Sequence, residues 1–253
     1  MRKTNRLPIY TLASIHGLLT SPSLSKDRVA IVDLHGVLVE YPRERIYSIL
    51  ISRLPVEETV KARLQVANEV GTIRFEDLVH AFPDPEREYW RGRLSAVWQQ
   101  LASFFMGGRA HDGVELLRLY PGSILIVTVS GEHIVARHVL ILESLLDLKR
   151  TYVVAHVQNK KDFFDLLASN GVRVAGLVGD NAEDIAYPDQ EALKILVKRK
   201  WTRVPNDKSD PVIVDSTRTA FEILLNSSLP RYMATTMQTS EYDPVETDES
   251  RRC

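Results

Sequence analysis

The chain has 253 residues, of which 44% are hydrophobic and 26% charged, and its formal net charge is −1. That balance is ordinary for a soluble globular protein with a sizeable core, and it gives no global field favouring nucleic acid or an acidic membrane. The only cysteine is Cys253, which excludes an internal disulfide framework or a cysteine-based metal site, and no apolar run is long enough to span a bilayer. A reducing compartment, and so a cytoplasmic location, is the expectation.

Residues 1–26 carry Arg2, Lys3, Arg6 and Lys26 and no acidic residue. Organellar transit peptides share this bias, but no cleavage signal is evident, and an N-terminal arm docked through Leu18 and Leu19 is the simpler reading. The first strand is expected at about 28–33, where the apolar run Val29 to Val32 leads into Asp33 and Gly36 allows a sharp turn. Residues 40–112 are helical in pattern. Ile46, Ile49, Leu50 and Leu54 share one face. A helix from Val56 to Val70 opens on Glu57 and Glu58, and a shorter one covers 73–82. After Pro83 and Pro85, residues 86–106 place Trp90, Leu94, Val97, Trp98, Leu101 and Phe105 at helical spacing, a packing core rather than a ligand cage.

From Asp112 onward strands and helices alternate. A short helix at 113–120 precedes the strand Ile124 to Val127, which ends at Thr128 with Ser130 and Gly131 behind it. A helix at 132–146, a strand at 152–157, a helix at 160–170 and a strand at 172–178 follow. That strand runs into GDNAED, Gly179 to Asp184. Further strands are expected at 193–197 and 212–214, and a closing helix at 217–225. The alternation predicts an α/β protein with a mainly parallel, Rossmann-like sheet. A core of 27–39 and 113–226 is interrupted by the helical module of 40–112. Residues 227–253 read as a disordered acidic tail.

In a parallel sheet all carboxyl ends share one edge. Asp33, Asp180 and Asp184 would therefore form an all-oxygen pocket suited to Mg²⁺. Thr128 adds a hydroxyl and Lys160 or Lys161 a positive charge. This constellation resembles the haloacid dehalogenase (HAD) superfamily, mostly phosphatases and phosphotransferases, over about 28–225. The motifs are Asp33-Leu34-His35-Gly36-Val37-Leu38, ILIVT up to Thr128, a lysine some twenty residues before the last motif, and Gly179-Asp180-Asn181-Ala182-Glu183-Asp184. Lys161 is preferred for that lysine, because DFFDLL follows it as the family's helix does. The inserted helices resemble the family's cap.

The resemblance implies a hydrolase of a small phosphorylated metabolite, and the charge balance and lack of a spanning apolar run point to neither nucleic acid nor membrane as partner. Asp33 would be the nucleophile. Mg²⁺ would be bridged by Asp33, the backbone carbonyl of His35 and Asp180. Thr128 and Lys161 would hold phosphate oxygens, and Asp184 would orient waters on the metal or the lysine. The departure is His35, where family phosphatases carry the acid–base Asp. An imidazole of ordinary pKa can do that work at neutral pH. Dehalogenases and phosphonate-cleaving members also lack Asp there. The retained Asp180 and Asp184 argue against dehalogenation, and Lys61, the only lysine of the helical module, reads as an exposed helix residue rather than an imine former. A member with weak or no catalysis, acting as a binding or regulatory protein, is the alternative. His111, His133, His138 and His156 read as surface or packing residues, and Lys198-Arg199-Lys200 as a solvated strand end.

Overall fold

The computed structural model describes residues 6–40, 42–104, 108–189, 191–202 and 211–228. Its centre is a seven-stranded sheet in which every pairing is parallel, in the order β1-β4-β3-β2-β5-β6-β7. The strands are β1 (Ile9–Tyr10), β2 (Val29–Asp33), β3 (Ser123–Val127), β4 (Thr151–Val154), β5 (Val174–Gly179), β6 (Leu193–Val197) and β7 (Val212–Val214). Aliphatic and β-branched residues dominate the inner strands because both faces are covered.

Side chains alternate between those two faces. Ala30 and Val32 of β2 join Ile124 and Ile126 of β3 in one core, beneath α6 (Glu132–Leu142) and α8 (Thr217–Ser228). Val29 and Ile31 join Leu125 and Val127 in the other, beneath α1 (Ile15–Leu19) and α7 (Lys160–Ser169). Phe221 and Leu224 of α8 anchor the first layer, and Phe163, Phe164 and Leu167 of α7 the second.

Between β2 and β3 lies a helical module of α2 (Arg43–Arg53), α3 (Glu58–Glu69), α4 (Phe75–Val79) and α5 (Arg87–Phe104). It has its own core, built on Ile46, Leu50, Leu64, Leu78 and Leu94, which also takes in Ile134 of α6. The two chain crossings into the module pair with each other. The Glu40 amide donates to the Arg109 carbonyl at 2.8 Å and the His111 amide to the Leu38 carbonyl at 2.9 Å. The module is thus tied to the sheet by a two-stranded neck.

The arm is more than a docked segment. Leu18 and Leu19 are buried as expected, but Ile9 and Tyr10 also add the edge strand beside β4, a pairing that two residues give no periodicity to predict. The segment expected as a helix at 113–120 is a 3₁₀ turn, Val114–Leu119, and the strand expected at 152–157 is shorter, Thr151–Val154. The closing helix extends to Ser228, and residues 229–253, most of the expected tail, lie outside the described residues.

Candidate active site

Parallel register brings the chemistry together. Asp33 ends β2 and is paired with Val127, the residue before Thr128, while Val32 is paired with Val178, two residues before Asp180. The side chains of Asp33, Thr128 and Asp180 therefore meet at one sheet edge. Asp184 follows on a 3₁₀ turn, Ala182–Ile185. Carboxylate oxygens of Asp33, Asp180 and Asp184 lie within 4.8 Å of one another, so the three can hold a metal ion.

Two glycines make this approach feasible. Gly36 has φ +83°, and a Cβ there would collide with the Asp180 carboxylate. A Cβ on Gly179 would collide with Asp184. Backbone amides fix the rest: the N–H groups of Asp180 and Asn181 donate to Oδ2 of Asp184 at 3.2 and 2.9 Å.

Lys160 supplies the cation. Its Nζ donates to Oδ1 of Asp33 at 2.8 Å and to Oδ1 of Asp184. This corrects the preference for Lys161. Asn159 caps α7 by accepting from the Lys161 amide, so Lys160 is the first helical residue and points inward. The next residue is turned about 100° around the helix. Lys161 is 80% exposed and, among the described residues, pairs with Asp165 of its own helix.

Burial, and after it the crowding of like charges, shows in the proton affinities. Burial, reinforced by Asp184 and Asp180, holds the Asp33 carboxyl well above the usual range against the pull of Lys160. Burial and Asp184 push Asp180 up to about 7. Burial disfavours the Lys160 charge, but Asp33 and Asp184 outweigh it and raise its pKa. Three enclosed carboxylates facing one ammonium make a site short of positive charge. A hard divalent cation with oxygen preference fits that deficit.

His35 sits beside this cluster, with both ring nitrogens engaged by neighbours. Its Nε2 lies 2.7 Å from Nδ1 of His138, and its Nδ1 lies 3.3 Å from Oγ1 of Thr128. Burial, with His138 and Lys160 nearby, pushes His35 down to about 3. The ordinary imidazole value expected from sequence therefore does not hold, and His35 is neutral at physiological pH. His138, read from sequence as a surface or packing residue, is buried in α6 as this ring's partner.

Trp201 was not anticipated at all. Its Nε1–H donates to Oδ2 of Asp180 at 2.6 Å. The basic run before it is not simply solvated. Nε of Arg199 donates to the Gly36 carbonyl at 2.7 Å, and Nζ of Lys200 meets Glu44 of α2 at 3.0 Å. One loop thus braces the first motif, a carboxylate of the acidic cluster and the helical module.

No protein-family model and no curated protein matches the chain. Solved structures do. A HAD hydrolase of family IA from Entamoeba histolytica superposes with a TM-score of 0.50 at 15% identity, covering 79% of this chain and 99% of that one. A Clostridium difficile protein described as a phosphatase gives a TM-score of 0.55 at 15% identity, with the same coverage. The chain has the fold of the HAD superfamily.

Within that HAD fold, a cleft of about 560 Å³ lies between the sheet edge and the helical module. Asp33, His35, Thr128, Lys160 and Asp180 form its floor; Arg43, Tyr47 and Trp98 of the module face them, with Trp201 at the side. Lys61 does not line it and pairs with Glu58 at 2.8 Å. His111 lies on the neck, where burial and Arg199 push it down to about 4. No helix of the described residues is long and apolar enough to cross a membrane.

Proposed function

We propose that the protein is a Mg²⁺-dependent phosphatase of a small phosphorylated metabolite, working through an aspartyl-phosphate on Asp33. The observation that supports this most directly is the convergence of Asp33, Asp180 and Asp184 with Lys160 at the floor of a cleft. Asp33, the His35 carbonyl and Asp180 would hold the cation, with Asp184 close by. When bound, Mg²⁺ neutralises charge on the transferring phosphoryl group.

Asp33 attacks phosphorus, the bond to the leaving oxygen breaks, and the leaving alkoxide takes its proton from cleft water. Lys160, placed between Asp33 and Asp184, holds a phosphoryl oxygen, and Thr128 donates its hydroxyl to another. His35 is neutral, and with Nε2 held by His138 it would work through Nδ1, which lies beside Thr128. In the second half it takes a proton from water, the hydroxyl adds to phosphorus, and Asp33 leaves as a carboxylate. The helical module acts as a cap that excludes water from the cleft. The test is release of inorganic phosphate from a panel of phosphomonoesters, including p-nitrophenyl phosphate, with and without Mg²⁺. Asp33→Asn should abolish turnover, and unchanged release in that variant would sink the reading.

A binding or regulatory role is the second reading, and the depressed basicity of His35 favours it. A ring held neutral against His138 offers no proton to a leaving group. His35→Asp separates the two. It should raise turnover if His35 limits an otherwise intact site, and leave it unchanged if His35 is itself the working base.

A further inference from the structure

Among the described residues, Arg43 and Arg74 are the cations lining the cleft that the chemistry at Asp33 does not use. Arg43 is half-buried at the module wall. Its guanidinium lies 5.4 Å from the Tyr47 ring centroid and 5.6 Å from that of Trp201, and Nη2 donates to the Ile73 carbonyl at 3.0 Å. Arg74, one residue on from Ile73, is exposed and lines the same cleft. Among the described residues neither guanidinium forms an ion pair with a carboxylate. The nearby Asp77 spends its Oδ2 on the Arg74 backbone amide, at 2.7 Å.

A guanidinium held against two aromatic rings and a backbone carbonyl has already lost much of its freedom and water. Its remaining N–H groups suit an incoming carboxylate or phosphate in a fork geometry. The opposite end of the cleft is different, since Lys160 there is committed to Asp33 and Asp184. The two ends are therefore specialised, with the reacting phosphoryl group at the sheet edge and free positive charge at the module wall. Tyr47, Trp98 and Trp201 supply flat apolar surface between them. A volume of about 560 Å³ is within the range of small-molecule sites.

We propose that the substrate is a phosphomonoester carrying a second anionic group, held by Arg43 with Arg74 at the mouth. This rests on the phosphatase reading of the same cleft. It adds the polarity of the substrate: phosphate inward, second anion outward, and a short apolar or planar body between.

The test uses three chain-matched alkyl phosphates that end in a carboxylate, a second phosphate or a hydroxyl. Their binding to the full-length protein in Mg²⁺ is measured by calorimetry, and their hydrolysis by phosphate release. The carboxylate- or phosphate-ended compound should bind about 10- to 100-fold more tightly than the hydroxyl-ended one, the range for a hydrogen bond to a charged group. The two anionic arms decide which group is preferred. Arg43→Gln should collapse that ratio toward one. Arg74→Gln, at an exposed position, should reduce it without risk to the packing around Tyr47. Equal affinity for all three compounds, with hydrolysis observed, overturns the second-anion proposal and leaves the phosphatase reading standing. Absence of both binding and hydrolysis for every compound overturns both.

Discussion

Nε2 of His35 and Nδ1 of His138 lie 2.7 Å apart, and the two rings meet edge to face at 75°. Such a pair needs one donor and one acceptor, which two neutral imidazoles provide. Burial keeps them neutral, with His35 pushed down to about 3 and His138 to about 4. In the unfolded chain each takes a proton below about 6.5. Between those values the unfolded state binds more protons, so these histidines make stability fall as pH drops from about 6.5 toward 4. His111, also pushed down to about 4, adds the same slope. Histidine-detected NMR should show both rings of the pair still neutral at about pH 5. Removing the partner by His138→Ala strands a buried nitrogen and should cost ~1–3 kcal/mol in chemical denaturation.

The acidic cluster pulls the opposite way in the cation-free protein. Asp180 keeps its proton up to about 7, whereas an unfolded aspartate loses it near the usual value of 3.8. The folded state therefore binds more protons in that window, and this contribution weakens folding as pH rises. Metal binding needs the ionised form and releases the proton. The Tm increase given by a fixed Mg²⁺ concentration should accordingly grow from about pH 5 to about pH 7.5. Asp180→Asn should remove most of that increase while raising the Tm of the cation-free protein at neutral pH. A Mg²⁺ response independent of pH would contradict the site as described.

The strand ends were legible because β2, β3 and β5 are apolar runs with a polar residue at the break, and the glycines of the first and last motifs mark where chains must approach. Lys160 against Lys161 was not legible. Adjacent lysines differ only by the helix phase, and that phase is set by the Asn159 cap. His138 was missed because it pairs across 103 residues of sequence, and Trp201 because its loop reads as a basic surface run. The two-residue edge strand β1 is too short to carry a period.

The lysine assignment makes a sharp comparison. Lys160→Met removes the cation shared by Asp33 and Asp184 and should lower turnover by ~10²–10³-fold, as loss of one charge-stabilising donor does. Lys161→Met breaks only an exposed i,i+4 pair and should stay within ~0.5 kcal/mol in stability and near the parent in rate. Parallel phosphate-release assays and melts on the two variants decide between them. Equal losses in both would mean that α7 does not hold the phase found here.

Trp201 tests the link between the cleft wall and the acidic cluster. Its indole N–H stabilises the ionised form of Asp180 through a 2.6 Å bond, and on its other side it stacks under Arg43. Trp201→Phe keeps a ring beneath the guanidinium but deletes the donor. Asp180 then holds its proton more tightly, so Mg²⁺ affinity at neutral pH should fall ~10–100-fold, the usual cost of losing a residue that orients a ligand. Raising the pH should recover part of that loss, because the added penalty is protonation of Asp180. Calorimetric titration with Mg²⁺ at about pH 7 and about pH 8.5 measures both effects. A loss of affinity with no recovery at the higher pH would mean that Trp201 shapes the loop rather than the carboxylate.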